Sequence, residues 1–145
     1  MKQIRTSVFE TNSSSTHSIS VAGEGEGVLS TLTVSKKGVV SIGGGEFGWE
    51  QEWYNDAETK ADYMAVYAKE CYPREGIAGV PLWDILCDVI KEQTGCKEVK
   101  YIKGGYIDHQ SVESQDYHSV FESPEKLRLF IFSQASYLET DNDNH

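Results

Sequence analysis

The chain has 145 residues, a length that suits one domain with a buried core. Hydrophobic residues make up 39% of it, which excludes a disordered chain, and 23 acidic against 13 basic residues give a net charge of −10. That charge disfavours nonspecific binding to nucleic acid, because such binding needs Lys and Arg at the phosphates. The sequence contains no apolar run of the about 20 residues that a membrane span requires, and its first residues do not resemble a secretory signal. The three cysteines form no C-x-x-C pair, so we expect a reducing, cytoplasmic environment.

The order of predicted elements indicates a single α+β domain over residues 1–145. Residues 1–53 form the β-rich part, residues 54–138 a mixed helical part, and residues 139–145 a frayed tail. We therefore expect an N-terminal antiparallel β-sheet covered by two or three helices.

Several short strands are predicted in the β-rich part. Ile19 and Val21 alternate with serines, which is the period of a half-buried strand. Residues 28–34 are strand-like, a turn follows at 37–38, and apolar residues return over 39–42. This pattern predicts a β-hairpin.

Two helices are predicted next. The first spans residues 55–71, with Asn55 as its N-cap and Glu58 completing a capping box. The second spans residues 82–94, where apolar residues follow the i, i+3, i+4, i+7 spacing, and Gly95 suits its C-terminal cap.

The C-terminal third is predicted to contain two strands and one more helix. Residues 99–102 alternate as a strand, and residues 106–107 are expected to pair back on it after a glycine turn. Ser123 and the proline after it begin the third helix. A short last strand is predicted at residues 137–138.

A run of small hydroxyl residues separates the first two apolar stretches. Ser13, Ser14 and Ser15 in this run are candidates for an anion-binding nest, because hydroxyls and backbone N–H groups can converge on one anion. The alternative is a polar hairpin loop whose hydroxyls bind the local backbone.

The opening KQIRTSVFETNSSSTHSISV resembles a group of uncharacterised proteins from bacteriophages and prophage-bearing bacteria, which begin with a similar FETNSSSTHS stretch. The stretches at 106–111 and 130–133 are similar to later motifs of that group. The resemblance implies a phage-type accessory protein acting in the host cytoplasm. It implies no activity and assigns no catalytic residue.

Histidines and carboxylates suggest a second class of site. A divalent metal such as zinc is one interpretation, and a protein without a cofactor is the other. A further alternative pairs a histidine with a serine hydroxyl as base and nucleophile. The candidate ligands are His17, Asp108, His109, His118 and Cys96.

Acidic and aromatic residues alternate around residue 50. Carboxylates beside Trp and Tyr suit a basic protein surface, because opposite charge speeds association and large aromatic rings supply binding energy. The alternative is that the rings are core and the acids only keep the chain soluble. The candidate contact residues are Trp49, Glu50, Glu52, Trp53 and Tyr54.

Two functions follow from these patterns. The first is a phage-type binding protein that inhibits a host factor, such as an anti-CRISPR or other anti-defence protein that occludes a basic nucleic-acid-binding surface of a nuclease. The second is a small metal-dependent or phosphate-handling enzyme at the serine-rich run, His17, Asp108 and His109. The lack of a complete catalytic motif favours the first.

Overall fold

The protein mixes strands and helices, with its first strand in an antiparallel sheet, and this confirms the α+β class. The computed structural model describes residues 15–47, 52–107 and 119–142. The elements, in chain order, are β1 (Ser15–Ser20), β2 (Val39–Gly43), β3 (Glu46–Phe47), β4 (Glu52–Tyr54), α1 (Ala57–Val66), a π-helical turn (Tyr67–Cys71), β5 (Gly76–Ile77), β6 (Val80–Pro81), α2 (Leu82–Thr94), β7 (Glu98–Ile102), β8 (Tyr106–Ile107), α3 (Pro124–Phe132) and β9 (Tyr137–Asn142).

The antiparallel sheet has the order β1-β9-β4, so the last strand lies at its centre. Leu138 and Thr140 alternate inward and are buried, which explains why β9 forms despite its polar sequence. The strand continues to Asn142, so the predicted frayed tail is wrong for residues 139–142. Residues 143–145 lie outside the described part of the chain.

Two parallel pairs of strands lie outside the antiparallel sheet. β2 pairs with β7 and β3 pairs with β8, both in parallel. Two residues separate β2 from β3, whereas three residues separate β7 from β8. The extra residue after β7 bends the paired strands. The predicted return of residues 106–107 onto β7 is wrong.

The predicted hairpin before β2 is also wrong. Its turn forms, since the N–H of Gly38 donates to the carbonyl of Ser35 at 2.9 Å. Residues 28–34, however, make only an isolated bridge, from Leu29 to Ser133. Leu32 is the buried member of that segment, so the segment has too little inward-facing surface to hold a strand against the core.

Helix α1 begins one residue later than predicted. Asp56, not Asn55, is the N-cap, and its carboxylate accepts from the N–H of Thr59 at 2.8 Å. Glu58 instead accepts from the N–H of Thr33 at 2.9 Å, so the predicted capping box does not form. The carboxylate of Glu58 therefore connects residues 28–34 to α1 by a hydrogen bond.

The other two helices match their predictions closely. α2 spans Leu82–Thr94, and Gly95 caps it at φ +76°, a conformation that favours glycine. At α3 the hydroxyl of Ser123 accepts from the N–H of Lys126 at 3.2 Å. The apolar faces of both helices join the inner faces of α1 and the strands in one core.

Lys60 of α1 lies inside this core with no exposed surface. Its ammonium group donates to the carbonyls of Ser133 at 2.7 Å and Ser136 at 2.9 Å, and it lies 5.7 Å from the ring centroid of Phe130. Burial lowers the pKa of Lys60 to about 8, although the carboxylate of Asp56 partly opposes the shift. The side chain thus fastens α1 to the connection between α3 and β9.

Candidate functional site

The side of the antiparallel sheet that faces away from the core carries an exposed tryptophan beside a half-buried tyrosine. Register places Trp53 and Ser18 on either side of Glu139, while Leu138 and Thr140 point to the core. Trp53 is 55% exposed, and its ring lies 5.6 Å from that of Tyr137 at an interplanar angle of 35°. Five residues form this open sheet face: Ser18, Ser20, Trp53, Tyr137 and Glu139.

The three strands that form this sheet contain acidic residues and no basic Lys or Arg. β1, β4 and β9 together contain Glu52, Glu139 and Asp141. Glu139 is half-buried beside Trp53, whereas Glu52 is exposed on the other side of β4, opposite Thr140. The open sheet face therefore combines a large apolar ring with negative charge.

The predicted contact residues divide between the two sides of the sheet. Trp53 and Glu52 are both exposed, but Glu52 lies on the side of β4 that faces away from the ring of Trp53. Tyr54 is half-buried on the core side, with its ring 6.2 Å from that of Phe47, so it does not lie with Trp53. Trp49 and Glu50 are outside the described residues.

Sequence reasoning missed two members of the open sheet face, Tyr137 and Glu139. They lie more than 80 residues beyond Trp53 in the chain and meet it only through strand pairing. Their spacing of two residues was the available signal, because it places both on one side of a strand.

The predicted metal and anion sites fall largely outside the described residues. Ser13, Ser14, Asp108, His109 and His118 belong to that undescribed part. In β1, Ser15 and His17 stand opposite Asn142 and Thr140 in the register. The serine nest and the histidine site stay predictions.

Cys96 differs from its expected role as a free metal ligand. It is 7% exposed and belongs to the hydrophobic core just after the end of α2. Over residues 15–47, 52–107 and 119–142, no three His, Cys, Asp or Glu side chains are grouped to hold a metal ion.

A second surface cluster surrounds the π-helical turn, a feature that often marks functional sites. The ammonium group of Lys69 lies 5.3 Å from the ring centroid of Trp83 and 5.6 Å from that of Tyr101. The hydroxyl of Tyr101 donates to Glu70 at 2.5 Å, and burial and this bond raise the pKa of Tyr101. Because the ammonium group of Lys69 already contacts both rings, the cluster is a structural contact between the π-helical turn, α2 and β7.

The neighbouring thiols are poor nucleophiles. Burial raises the pKa of both Cys71 and Cys87 to about 11, which keeps them protonated near neutral pH. The cluster therefore lacks the thiolate that cysteine chemistry requires.

Asp62 of α1 supports the glycine-rich bend between β2 and β3. Its carboxylate accepts from the N–H of Gly43 at 2.9 Å. Burial raises the pKa of Asp62 to about 6, against the opposing effect of that hydrogen bond, and the carboxylates of Glu58 and Asp56 raise it further. Between pH 3.8 and about 6, the folded protein therefore holds a proton on Asp62 that the unfolded chain has released.

Replacing Asp62 with Asn is expected to remove a pH dependence of stability. In the wild type, the folded state binds more protons between pH 3.8 and about 6, so this group makes stability fall as pH rises through that window. Asn keeps an acceptor for Gly43 and carries no charge. The variant should therefore gain up to about 2 kcal/mol relative to wild type between pH 4 and pH 7, measured by urea unfolding. Glu98→Gln, at an exposed carboxylate of β7, should show no comparable gain.

Comparison of the chain with protein-family models, curated proteins and solved structures finds no match. None of the helices in the described residues is long and apolar enough to cross a membrane. The function proposed for this chain therefore rests on the side chains at its surface.

Proposed function

We propose that this chain is a binding protein that docks through the open sheet face onto a basic surface of another protein. The partner class is a nucleic-acid-binding host protein, such as a nuclease of antiviral defence, whose nucleic-acid channel the bound chain would occlude. The observation that carries the proposal is the exposed ring of Trp53, which lies against the ring of Tyr137 and beside Glu139 on the open sheet face.

The aromatic pair supplies the affinity in this proposal. Trp and Tyr bury large areas and lose little conformational entropy, and they dominate the binding energy of many interfaces. Tyr137 holds the ring of Trp53 in place before any partner arrives. Little ordering remains to be done on binding, which favours a tight complex.

Charge supplies the selectivity. The net charge of −10 and the absence of Lys and Arg from the three strands repel acidic surfaces and attract basic ones. A nucleic-acid channel is lined with Lys and Arg, so it offers the complementary surface. The phage-type accessory role expected from the opening FETNSSSTHS stretch would fit an anti-defence protein, with an anti-CRISPR protein as the specific form.

Replacing Trp53 with Ala is expected to weaken inhibition at least about tenfold, because the ring is the anchor of the interface. The assay is DNA cleavage by purified CRISPR effector nucleases, each loaded with its guide RNA, with increasing amounts of wild type or variant. The matched control is Tyr106→Ala, which removes a 43% exposed ring from β8, outside the antiparallel sheet. The control should inhibit within about twofold of wild type.

Salt and charge provide a second arm of the same experiment. Glu139→Gln, beside Trp53 on the open sheet face, should slow association and reduce its dependence on salt. If cleavage proceeds unchanged with wild type across the panel, the anti-CRISPR form is wrong. Inhibition that survives Trp53→Ala would instead place the interface on another surface.

A further inference from the structure

An apolar groove of about 360 Å³ lies between α2, the β5–β6 hairpin and the start of α3. Its volume falls within the about 300–1,000 Å³ typical of binding sites. Ile85, Val89 and Phe121 contribute to its apolar lining. Val80 on the hairpin is 41% exposed, so part of the groove wall is open to solvent.

Negative charge surrounds the apolar surface. Asp88, Glu92 and Glu122 line the groove and all three are exposed, whereas no Lys or Arg is among the lining residues. An occupant with positive charges beside its apolar groups would satisfy both features. An acidic or neutral occupant would leave three carboxylates unpaired at its edge.

The α2 wall has a regular helical pattern. Ile85, Asp88, Val89 and Glu92 follow one another at the i, i+3, i+4 and i+7 positions, so apolar and acidic side chains share one stripe. The stripe extends about 10 Å, which is two helical turns. A second helix laid along it would present its own groups at the same period.

We propose that this groove binds an amphipathic α-helix of a partner protein whose apolar anchors are flanked by Lys or Arg. Its apolar side chains would contact Ile77, Val80 and Ile85, and its cations would pair with Asp88, Glu92 and Glu122. Helix-in-groove recognition of this kind uses apolar anchors one turn apart. The groove shares no residue with the open sheet face, so the proposal is independent of the proposed function.

The probe is a synthetic helical peptide with Leu at one-turn spacing and Lys beside each Leu. A matched peptide carries Glu in place of every Lys, and a third carries Ser in place of every Leu. Calorimetric titration of the full chain should give a Kd of about 10–100 μM for the first peptide and no measurable binding for the others. Amide NMR shifts should change along α2 and at residues 119–124.

Charge reversal at the groove gives the decisive variant. Asp88→Lys with Glu92→Lys should weaken the first peptide at least about tenfold. Glu46→Lys with Glu98→Lys changes the net charge equally at exposed positions outside the groove, and it should leave the affinity within about twofold. If the double Lys variant of α2 does not fold, Asp88→Asn with Glu92→Gln replaces it, with a smaller loss expected.

Two results would overturn the proposal. The first is equal weakening by both charge-reversal variants, which would mean that the peptide responds to net charge alone. The second is the absence of binding by any peptide below about 1 mM, which would show that the groove does not accept a basic helix. Failure of the Trp53→Ala test, by contrast, leaves this proposal untouched because the two surfaces are separate.

Discussion

Replacing Lys60 with Met is expected to lower the free energy of unfolding by about 2–3 kcal/mol at pH 7. Met matches the length and much of the volume of Lys, so the substitution removes the ammonium group without opening a large cavity. The carbonyls of Ser133 and Ser136 then lose a buried donor, and an acceptor left without its donor inside a protein is costly. Chemical denaturation of both proteins measures the difference.

The cost of burying the ammonium group limits this loss. Burial lowers the pKa of Lys60 to about 8, so below that pH the folded state carries a desolvated charge that Met does not. Between about pH 8 and 10.5 the unfolded chain binds more protons at this residue than the folded protein does. Stability from Lys60 therefore rises with pH in that window, and the gap between wild type and Lys60→Met should widen.

Lys100→Met is the matched control, because Lys100 is exposed on β7. Its effect should stay within about 0.5 kcal/mol, with no widening toward high pH. A Lys60→Met protein as stable as wild type would mean that the two carbonyls find other donors and that Lys60 does not fasten α1.

Local signals explain why some elements were predictable from the sequence. α2 and its glycine cap follow from apolar spacing and from one residue at φ +76°, both of which are encoded within a few positions. The same holds for the Ser123 cap of α3. The class of fold needs only the order of such elements, so it was also within reach.

Pairing between distant strands was not predictable in the same way. The turn before β2 favours a hairpin locally, yet β2 gains more by pairing with β7, where Val40 and Ile42 are buried under α1. β9 has a polar sequence that resembles a tail, and it is a central strand because Leu138 and Thr140 face the core. Tertiary packing decides both cases.

The same limit applied to the candidate site. The exposure of Trp53 was predicted from the acidic residues around it, but its partner Tyr137 is contributed by the far end of the chain. The core position of Tyr54 follows from the alternation of β4, a rule that applies only once the strand is known. The sequence thus indicated that the site is acidic and aromatic, but not that Tyr137 and Glu139 belong to it.

Replacing Gly43 with Ala is expected to lower the free energy of unfolding by about 3–5 kcal/mol. Gly43 has φ +112°, a conformation that L residues avoid. An added Cβ would lie 2.7 Å from the carbonyl oxygen of Ile102 and 2.8 Å from the ring of Tyr101. The carbonyl belongs to the backbone of β7, so relief requires the two strands to separate.

Gly104→Ala separates the two causes of this loss. Gly104 also has positive φ, at +99°, but an added Cβ meets nothing within 4 Å. It should therefore cost only the conformational strain, about 1–2 kcal/mol, measured by the same urea titration. The remainder of the Gly43→Ala effect reports the close approach of β2 and β7. Equal losses in the two variants would show that backbone conformation alone, and not strand contact, requires glycine at the bend.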